Sequence, residues 1–199
     1  MSKSTTDSIE ITILGCGGVG KSALTLKYMY DEFSSEYEPT KSDAYKKTIE
    51  VDGKPRILSI IDTAGQEDYG FLVDNNIRKS RAFLAVFSLT EKKSFDAIDD
   101  FLDKIYQIKK QDEVVVLLVG NKKDLADSNP EDRKVSIQEA KIKADKYNIK
   151  FMESSAKDDV NVKEIFSYLS EQIVKKYFKM DENSVQLKSS KKRIKCVIL

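Results

Sequence analysis

Short apolar runs alternate with segments of helical spacing along most of this chain of 199 residues. The apolar runs predict buried strands at residues 9–14, 82–87, 114–119 and 151–153. Between them, apolar side chains recur at intervals of three or four residues, as they do over 95–108, which predicts amphipathic helices. The alternation of the two patterns predicts an open, mostly parallel α/β sheet.

Residues 43–51 and 54–61 are predicted to form a hairpin. They flank Asp52-Gly53, a pair that favours the tight turns joining antiparallel strands. The complete prediction is an α/β fold of six strands, one of them an antiparallel edge strand, and five helices, in three layers with the sheet between helices. In such sheets ligands collect at the carboxyl ends of the strands. Residues that directly follow a strand are therefore the candidates for function.

Two helix starts resemble capping boxes, in which the first side chain and a glutamate three residues later satisfy exposed backbone N–H groups. One box pairs Ser136 with Glu139, and the other pairs Asn161 with Glu164. Both pairs precede apolar positions at helical spacing, so each is predicted to open a helix.

The last helical pattern fades near Phe178. We expect one domain over residues 9–178, a disordered start over 1–8 and a flexible tail over 179–199. No apolar run approaches the roughly eighteen residues of a membrane span, and the first residues lack the apolar core of a signal peptide. The protein is therefore expected to stay inside the cell.

The net charge of +1 conceals an uneven distribution. Residues 188–199 contain five basic side chains and no acidic one, so the rest of the chain carries a net charge of −4. This argues against a nucleic-acid-binding domain, which usually carries its basic face on the fold itself. The two cysteines, Cys16 and Cys196, lie at opposite ends of the chain and form no disulfide framework.

The stretch GCGGVGKS, from Gly15 to Ser22, follows the first predicted strand and opens the first predicted helix. Glycines without β-carbons let the backbone wrap a polyphosphate, so that several N–H groups and the helix N-terminus point at it. Lys21 would supply a mobile positive charge, and Ser22 a hydroxyl ligand for Mg²⁺. The motif predicts a nucleoside triphosphate site, yet alone it does not distinguish ATP from GTP.

Three further segments follow predicted strands. Asp62 opens DTAGQ, and its carboxylate is placed to hold Mg²⁺ through water in the same pocket. Asp124 ends NKKD and can accept hydrogen bonds from the ring N–H and the 2-amino group of guanine, which adenine lacks. The segment Ser155-Ala156-Lys157 can donate a backbone N–H to the guanine oxygen. The fold brings all these segments to one edge of the sheet.

These motifs, in this order and with these gaps, resemble the Ras superfamily of small GTPases over the whole predicted domain. Residues 29–33 and 37–45 are most similar to Ral proteins, since a Ras or Rap protein would carry an isoleucine and a glutamate in place of Lys41 and Ser42. Residues 70–77 depart from the Ral pattern in the second switch, which puts recognition of regulators in doubt. Residues 127–133 look like a short insertion before the fourth helix.

The resemblance implies a P-loop GTPase that binds GTP or GDP with Mg²⁺ and acts as a membrane-anchored switch in signal transduction. It implies that Phe33 packs on the guanine. The implied metal ligands are Ser22, Thr40 and Asp62, and the implied catalytic residues are Gly17, Lys21 and Gln66, of which Gln66 orients the attacking water. The residues implied to bind the nucleotide are Gly15, Gly17, Gly18, Val19, Gly20, Lys21, Ser22, Ala23, Phe33, Tyr37, Pro39, Thr40, Asp62, Gly65, Asn121, Lys122, Asp124, Leu125, Ser155, Ala156 and Lys157.

Hydrolysis is expected to be slow. No arginine lies between Phe33 and Lys41, so the chain has no charge to insert there, and a GTPase-activating protein is expected to supply the arginine. A guanine nucleotide exchange factor is the second expected partner of this monomeric domain. Effectors that read the GTP state are the third, and the residues implied to bind them are Tyr37, Lys41, Ser42, Asp43 and Tyr45.

The chain ends in Cys196-Val-Ile-Leu199, which fits the pattern recognised by a prenyltransferase, with leucine favouring a geranylgeranyl group. One lipid anchors a protein only marginally, and the basic residues of the tail can add attraction to an anionic membrane surface. This predicts attachment to the cytoplasmic face of the plasma membrane or of an endomembrane. Ser189 and Ser190 lie in the basic run, so phosphorylation there would oppose the attraction.

Two other interpretations stay open. A P-loop kinase or ATPase acting on a small molecule would need an adenine pocket, and Asp124 argues against one. A nucleotide-binding scaffold without turnover is the third interpretation, and the intact Gly17 and Gln66 argue against it. Competition by ATP for bound GTP and single-turnover hydrolysis distinguish the three.

Overall fold

The computed structural model describes residues 8–34, 43–63 and 71–178. Six strands form one sheet, in the spatial order β2-β3-β1-β4-β5-β6. The strands are β1 (Ser8–Leu14), β2 (Asp43–Val51), β3 (Lys54–Asp62), β4 (Ala82–Ser88), β5 (Val115–Asn121) and β6 (Lys150–Glu153). All neighbouring strands are parallel except β2 and β3, which confirms the predicted sheet and its antiparallel edge strand.

Helices cover both faces of the sheet. In chain order they are α1 (Lys21–Tyr30), α2 (Phe71–Lys79), α3 (Lys92–Asp96), α4 (Ile98–Ile108), α5 (Lys123–Ser128), α6 (Ile137–Lys146) and α7 (Val162–Ile173). α3 and α4 meet at Ala97 and together correspond to the single helix predicted there. The helix α5 was not among the five predicted helices, because its six residues are too few to show helical spacing.

Two hydrophobic cores lie on opposite faces of the sheet. Ile9, Ile11 and Ile13 of β1 point to the face that α7 covers with Phe166 and Leu169. The alternate residues of β4, which include Phe83 and Phe87, point to the other face. The helices α4 and α6 cover that face with buried residues such as Leu102, Ile105 and Ala140. Because successive side chains of a strand point to opposite faces, apolar residues at almost every position of β4 require helices on both sides.

The strand registers bring the predicted motifs to one edge of the sheet. β1 runs parallel to β3, with Ile13 opposite Asp62. On the other side of the sheet, Gly120 of β5 is opposite Glu153 of β6. The segments that follow β1, β3, β5 and β6 therefore leave the sheet at its carboxyl edge, as the topology rule for such folds requires.

The two predicted capping boxes have different outcomes. Ser136 accepts a hydrogen bond from the Glu139 N–H, and Glu139 accepts one from the Ser136 N–H, so the first box is confirmed. At the second position the predicted helix start is confirmed, since α7 begins directly after Asn161, but the predicted box is wrong. Asn161 has a left-handed backbone with φ of 58°, and its side chain donates to the carbonyl oxygen of Glu153 instead of capping α7.

The end of the described chain is fixed to the opposite, amino edge of the sheet. After α7 the helix continues as a π-helical turn, Val174–Phe178. The guanidinium of Arg56 lies 4.3 Å from the ring centre of Phe178, and that of Arg81 lies 4.4 Å from the ring centre of Tyr177. The Tyr177 hydroxyl donates to the Glu113 carbonyl oxygen. Cation–π contacts of this kind hold the last turn against the sheet.

Within the three described ranges, none of the helices has the length and apolarity that crossing a bilayer requires. The N-terminal residues before Ser8 and the predicted tail with Cys196 lie outside the described residues.

The capping box at Ser136 gives a test of the fold. Ser136→Ala removes the acceptor of the Glu139 N–H, so we expect a loss of about 1 kcal/mol in the free energy of unfolding. Ser136→Thr keeps the acceptor and should stay close to wild type. Chemical denaturation of both variants and the wild type under identical conditions measures these changes. Equal stability of the alanine and wild-type proteins would contradict the capping role.

Candidate functional site

The loop between β1 and α1 is closed by a lysine side chain. The Lys21 ammonium crosses the loop and donates to the carbonyl oxygens of Gly15, at 2.9 Å, and of Cys16, at 2.8 Å. Lys21 is only 5% exposed, and this burial lowers the pKa of its ammonium, while the charge of Asp62 opposes that shift. The Lys21 ammonium is therefore a buried positive charge inside the glycine loop that the sequence predicted.

Two glycines of this loop are required by close approach. A β-carbon on Gly15 would lie 2.1 Å from the carbonyl oxygen of Val86 in β4, so the loop can lie against the sheet only without one. Gly20 has φ of +94°, and a β-carbon there would lie 2.3 Å from the side-chain nitrogen of Asn121. Gly18 differs, because a β-carbon there would have no atom of the described residues within 4 Å.

Asn121 ties together three segments at this edge. Its amide nitrogen donates to the carbonyl oxygen of Val19 at 2.9 Å, and its amide oxygen accepts from the Ser154 hydroxyl at 3.1 Å. The side chain is buried, with 2% of Asn121 exposed. Asn121 therefore braces the glycine loop against the segment that follows β6. A direct contact of Asn121 with a nucleotide stays a prediction.

The Asp124 carboxylate is held by a neighbouring segment. The Ser155 hydroxyl donates to Asp124 Oδ1 at 2.8 Å, which aligns the carboxylate at the start of α5. The Ser155 N–H donates to the carbonyl oxygen of Val160, so the backbone N–H predicted to meet a base oxygen would have to belong to Ala156 or Lys157.

The other predicted base-binding residues lie around this edge. Lys122 precedes α5 with a left-handed backbone, φ of 66°, and Leu125 is exposed in its first turn. Phe33 is also an exposed aromatic side chain. Gly17, Ala23 and Ser22 are half-buried in the loop and in the first turn of α1, which agrees with a surface for phosphates.

The Asp62 carboxylate has the properties expected of a group that binds a hydrated metal ion. It is fully buried, and neither of its oxygens has a hydrogen-bond partner of acceptable geometry among the described residues. Burial raises the pKa of Asp62, while the nearby Ser22 hydroxyl and the Lys21 charge lower it. A buried carboxylate with available lone pairs beside a hydroxyl fits a hydrated Mg²⁺, because oxygen ligands suit this ion.

Part of the predicted site lies outside the described residues. This holds for Tyr37, Pro39, Thr40, Lys41, Ser42, Gly65 and Gln66. Two predicted effector-binding residues are described. Asp43 begins the edge strand β2 and is exposed, and the ring of Tyr45 meets that of Tyr30 edge-on, with centres 6.2 Å apart. Both residues therefore lie on the strand that follows the undescribed segment.

Several supporting residues were not predicted. Ser154 holds Asn121, and Thr63 ties the end of β3 to β1 by donating to the Ile13 carbonyl oxygen at 2.6 Å. Both are buried polar residues directly after strands, which is the one local sign that could have identified them.

Comparison with known proteins decides the family. The sequence profile of the Ras family matches residues 10–175. The chain belongs to the Ras family. As a member of this family it binds GTP and GDP, hydrolyses GTP and acts as a switch that works with activating proteins, exchange factors and effectors.

The relatives also confirm the predicted likeness to Ral proteins. The chain is 47% identical over 175 residues to the Ras-related protein O-RAL of Diplobatis ommata, covering 87% of this chain and 82% of that one. It is 46% identical to Ras-related protein Ral-B of Rattus norvegicus, with the same coverage. It is 41% identical to Ras-related protein Ral-a of Drosophila melanogaster, covering 96% of this chain and 94% of that one. This family member is Ral-like.

A matched pair of glycines tests the brace at Asn121. Gly20→Ala must displace the Asn121 amide from Val19, because that amide is buried and held at both ends, so we expect at least about a tenfold loss of GDP affinity. Gly53→Ala is the control, since Gly53 also has positive φ, +72°, but a β-carbon there would meet none of the described residues. Calorimetric titration with GDP measures both. Wild-type affinity in Gly20→Ala would refute the brace.

Proposed function

We propose that this chain is a membrane-anchored, Ral-like switch whose guanine specificity comes from Asp124 and whose phosphate binding comes from the loop around Lys21. The observation that carries this proposal is the Asp124 carboxylate, held by Ser155 at the edge where the glycine loop also lies. A fixed carboxylate accepts two hydrogen bonds from guanine, whereas adenine would leave it unpaired.

The phosphates would lie on the glycine loop. Its backbone N–H groups and the start of α1 favour an anion, and Lys21 can exchange its two carbonyl partners for phosphate oxygens. The loop is already closed around the lysine charge, so binding replaces hydrogen bonds instead of reorganising the backbone.

Ser22 and Asp62 would hold Mg²⁺ together with Thr40. The buried Asp62 oxygens, which lack partners among the described residues, support this assignment. When bound, the ion neutralises charge on the phosphates during phosphoryl transfer. Asp62 would act through its hydration water, and Ser22 through its hydroxyl.

Hydrolysis would use in-line attack by water that Gln66 orients, with Lys21 facing the developing charge and Gly17 leaving room for an incoming side chain. The segment 33–41 contains no arginine, so turnover by the chain alone should be slow. An arginine supplied by a partner raises the rate of such GTPases by about 10³ to 10⁵, as it does for Ras.

The nucleotide state would be read on the two loops that contain Thr40 and Gly65. Contacts to the γ-phosphate would order both loops, and its loss would release them. Tyr37, Lys41, Ser42, Asp43 and Tyr45 would then form the surface that effectors bind. Lys41 and Ser42 favour effectors of the Ral type.

The tail would place this switch on a membrane. A prenyltransferase would attach a lipid to Cys196, and the basic residues before it would attract an anionic leaflet at about 1 kcal/mol each. The cytoplasmic face of the plasma membrane or of an endomembrane is the expected location.

Base specificity provides the first test. In wild-type protein, bound labelled GDP should be displaced by GTP but not by ATP at about a hundredfold excess, because such sites discriminate by about 10⁴ to 10⁵. Asp124→Asn should lower the affinity for GDP at least about a hundredfold. The same variant should gain affinity for xanthosine diphosphate, because the 2-oxo group of xanthine can accept a hydrogen bond from the asparagine amide. Asp132→Asn, an exposed residue beyond α5, is the control. Displacement by ATP from the wild type would refute guanine specificity.

Membrane attachment provides the second test. Cys196→Ser should make the protein cytosolic in imaging, because no lipid can be attached. The double variant Ser189→Asp and Ser190→Asp should lower plasma-membrane occupancy, since two negative charges offset part of the basic run. The matched alanine variant should keep the wild-type distribution. If the aspartate and alanine variants distribute alike, electrostatic control of attachment is wrong.

A further inference from the structure

The predicted insertion before α6 contributes an arginine with a well-satisfied guanidinium. Arg133 Nη1 donates to Glu153 Oε1 at 2.6 Å, and Nη2 donates to Glu153 Oε2 at 3.3 Å, so the pair is bidentate. Nη2 also donates to Asp127 Oδ1 at 3.3 Å, and Nη1 to the carbonyl oxygen of Val135 at 3.4 Å. One guanidinium thus links α5, the end of β6 and its own segment.

The two carboxylates that Arg133 joins lie next to the two predicted guanine-binding segments. Glu153 is the last residue of β6, and Ser154 and Ser155 follow it directly. Asp127 lies almost one helical turn after Asp124 in α5 and is paired with Lys123 of the same helix. The backbone of Glu153 is itself tied down, because Asn161 donates to its carbonyl oxygen at 2.7 Å.

This ion pair differs from a typical surface pair of the same domain. The side chains of Arg133 and Glu153 are 21% and 11% exposed, whereas those of Lys92 and Glu139 are 44% and 46% exposed at 3.1 Å. Exposed single pairs contribute little to stability, but bidentate and partly buried arginine–carboxylate pairs are among the strong ones. The glutamate also raises the pKa of the Arg133 guanidinium, in agreement with a tight pair.

We propose that Arg133 is a positioning residue for guanine recognition, which holds α5 against the end of β6 so that Asp124 and the Ser155–Lys157 segment meet the base together. The proposal rests on the proposed role of Asp124. The hydrogen bonds of Arg133 go to Asp127 on one side and to Glu153 on the other, so its effect reaches the base-binding residues through these two carboxylates.

The proposal assigns a use to residues 127–133. A 3₁₀ turn follows α5 at Pro130–Asp132, and the Asn129 side chain accepts from the Glu131 N–H to begin that turn. This turn reverses the direction of the chain after α5 and brings Arg133 next to Glu153 at the end of β6. The segment therefore connects α5 to β6 beside the base-binding residues and is more than a spacer between α5 and α6.

Release of two nucleotides tests this role. Arg133→Gln keeps a polar side chain but loses the charge and the bidentate pair, so GDP release should accelerate about tenfold. Inosine diphosphate lacks the 2-amino group that Asp124 would bind, so its release should accelerate much less. Hydrolysis of preloaded GTP in a single turnover should stay unchanged, because the contacts of Arg133 lie at the base end of the site.

Four further variants make the result specific. Lys92→Gln breaks the exposed pair with Glu139 and should leave release of both nucleotides as in wild type. Glu153→Gln should also accelerate GDP release, and the double variant should be no faster than Arg133→Gln, because loss of Arg133 already breaks the pair with Glu153. Arg133→Lys should fail to restore slow GDP release, since a lysine cannot form the bidentate pair.

The outcomes separate positioning from general stabilisation. Equal acceleration of GDP and inosine diphosphate release, with a lower melting temperature, would mean that Arg133 only stabilises the fold and would overturn the proposal. Unchanged GDP release would overturn it as well. If wild-type protein does not prefer GDP over inosine diphosphate or ATP, the role of Asp124 fails first, and the role of Arg133 fails with it.

Discussion

The buried amide of Asn121 joins segments that are far apart in the sequence, and the geometry of the whole site depends on it. It bonds to Val19 in the first loop and to Ser154 after the last strand, while Gly20 leaves the space that it occupies. A buried amide that loses a partner costs about 1–3 kcal/mol, so the three segments hold one another in place. The loop proposed to bind the phosphates and the segment proposed to meet the base are consequently held together by one side chain. A nucleotide bound as proposed would meet both already positioned.

Two charges buried in this unit explain why it should favour a ligand. Lys21 is satisfied by carbonyl oxygens, and Asp62 keeps two oxygens buried without a partner among the described residues. Desolvating such groups is costly, and the cost falls when an opposite charge arrives. Any ligand that neutralises them stabilises the folded state by mass action. Stability and occupancy of the site are therefore coupled.

The sequence was sufficient for features that depend on neighbouring residues. The order of strands and helices, the glycine loop, the Asp52-Gly53 turn and the capping box at Ser136 were predicted because each is set within a few positions. Asn161 shows where prediction from neighbouring residues fails. Its type and spacing fit a cap, but a tertiary bond to Glu153 takes its side chain. The contacts of Asn121 and Arg133 escaped prediction for the same reason, since their partners are 102 and 20 positions away. The helix α5 was missed because it is short.

The cation–π contacts of the last turn affect where the domain would be connected to a membrane. Arg56 and Arg81 fix Phe178 and Tyr177 at the amino edge of the sheet, opposite the edge with the glycine loop. Eighteen residue steps separate Phe178 from Cys196, and they can span at most about 65 Å. If Cys196 carries a lipid, as proposed, the connection to the membrane starts at the edge opposite the glycine loop, so partners could reach that loop without competing with lipid headgroups for the same surface.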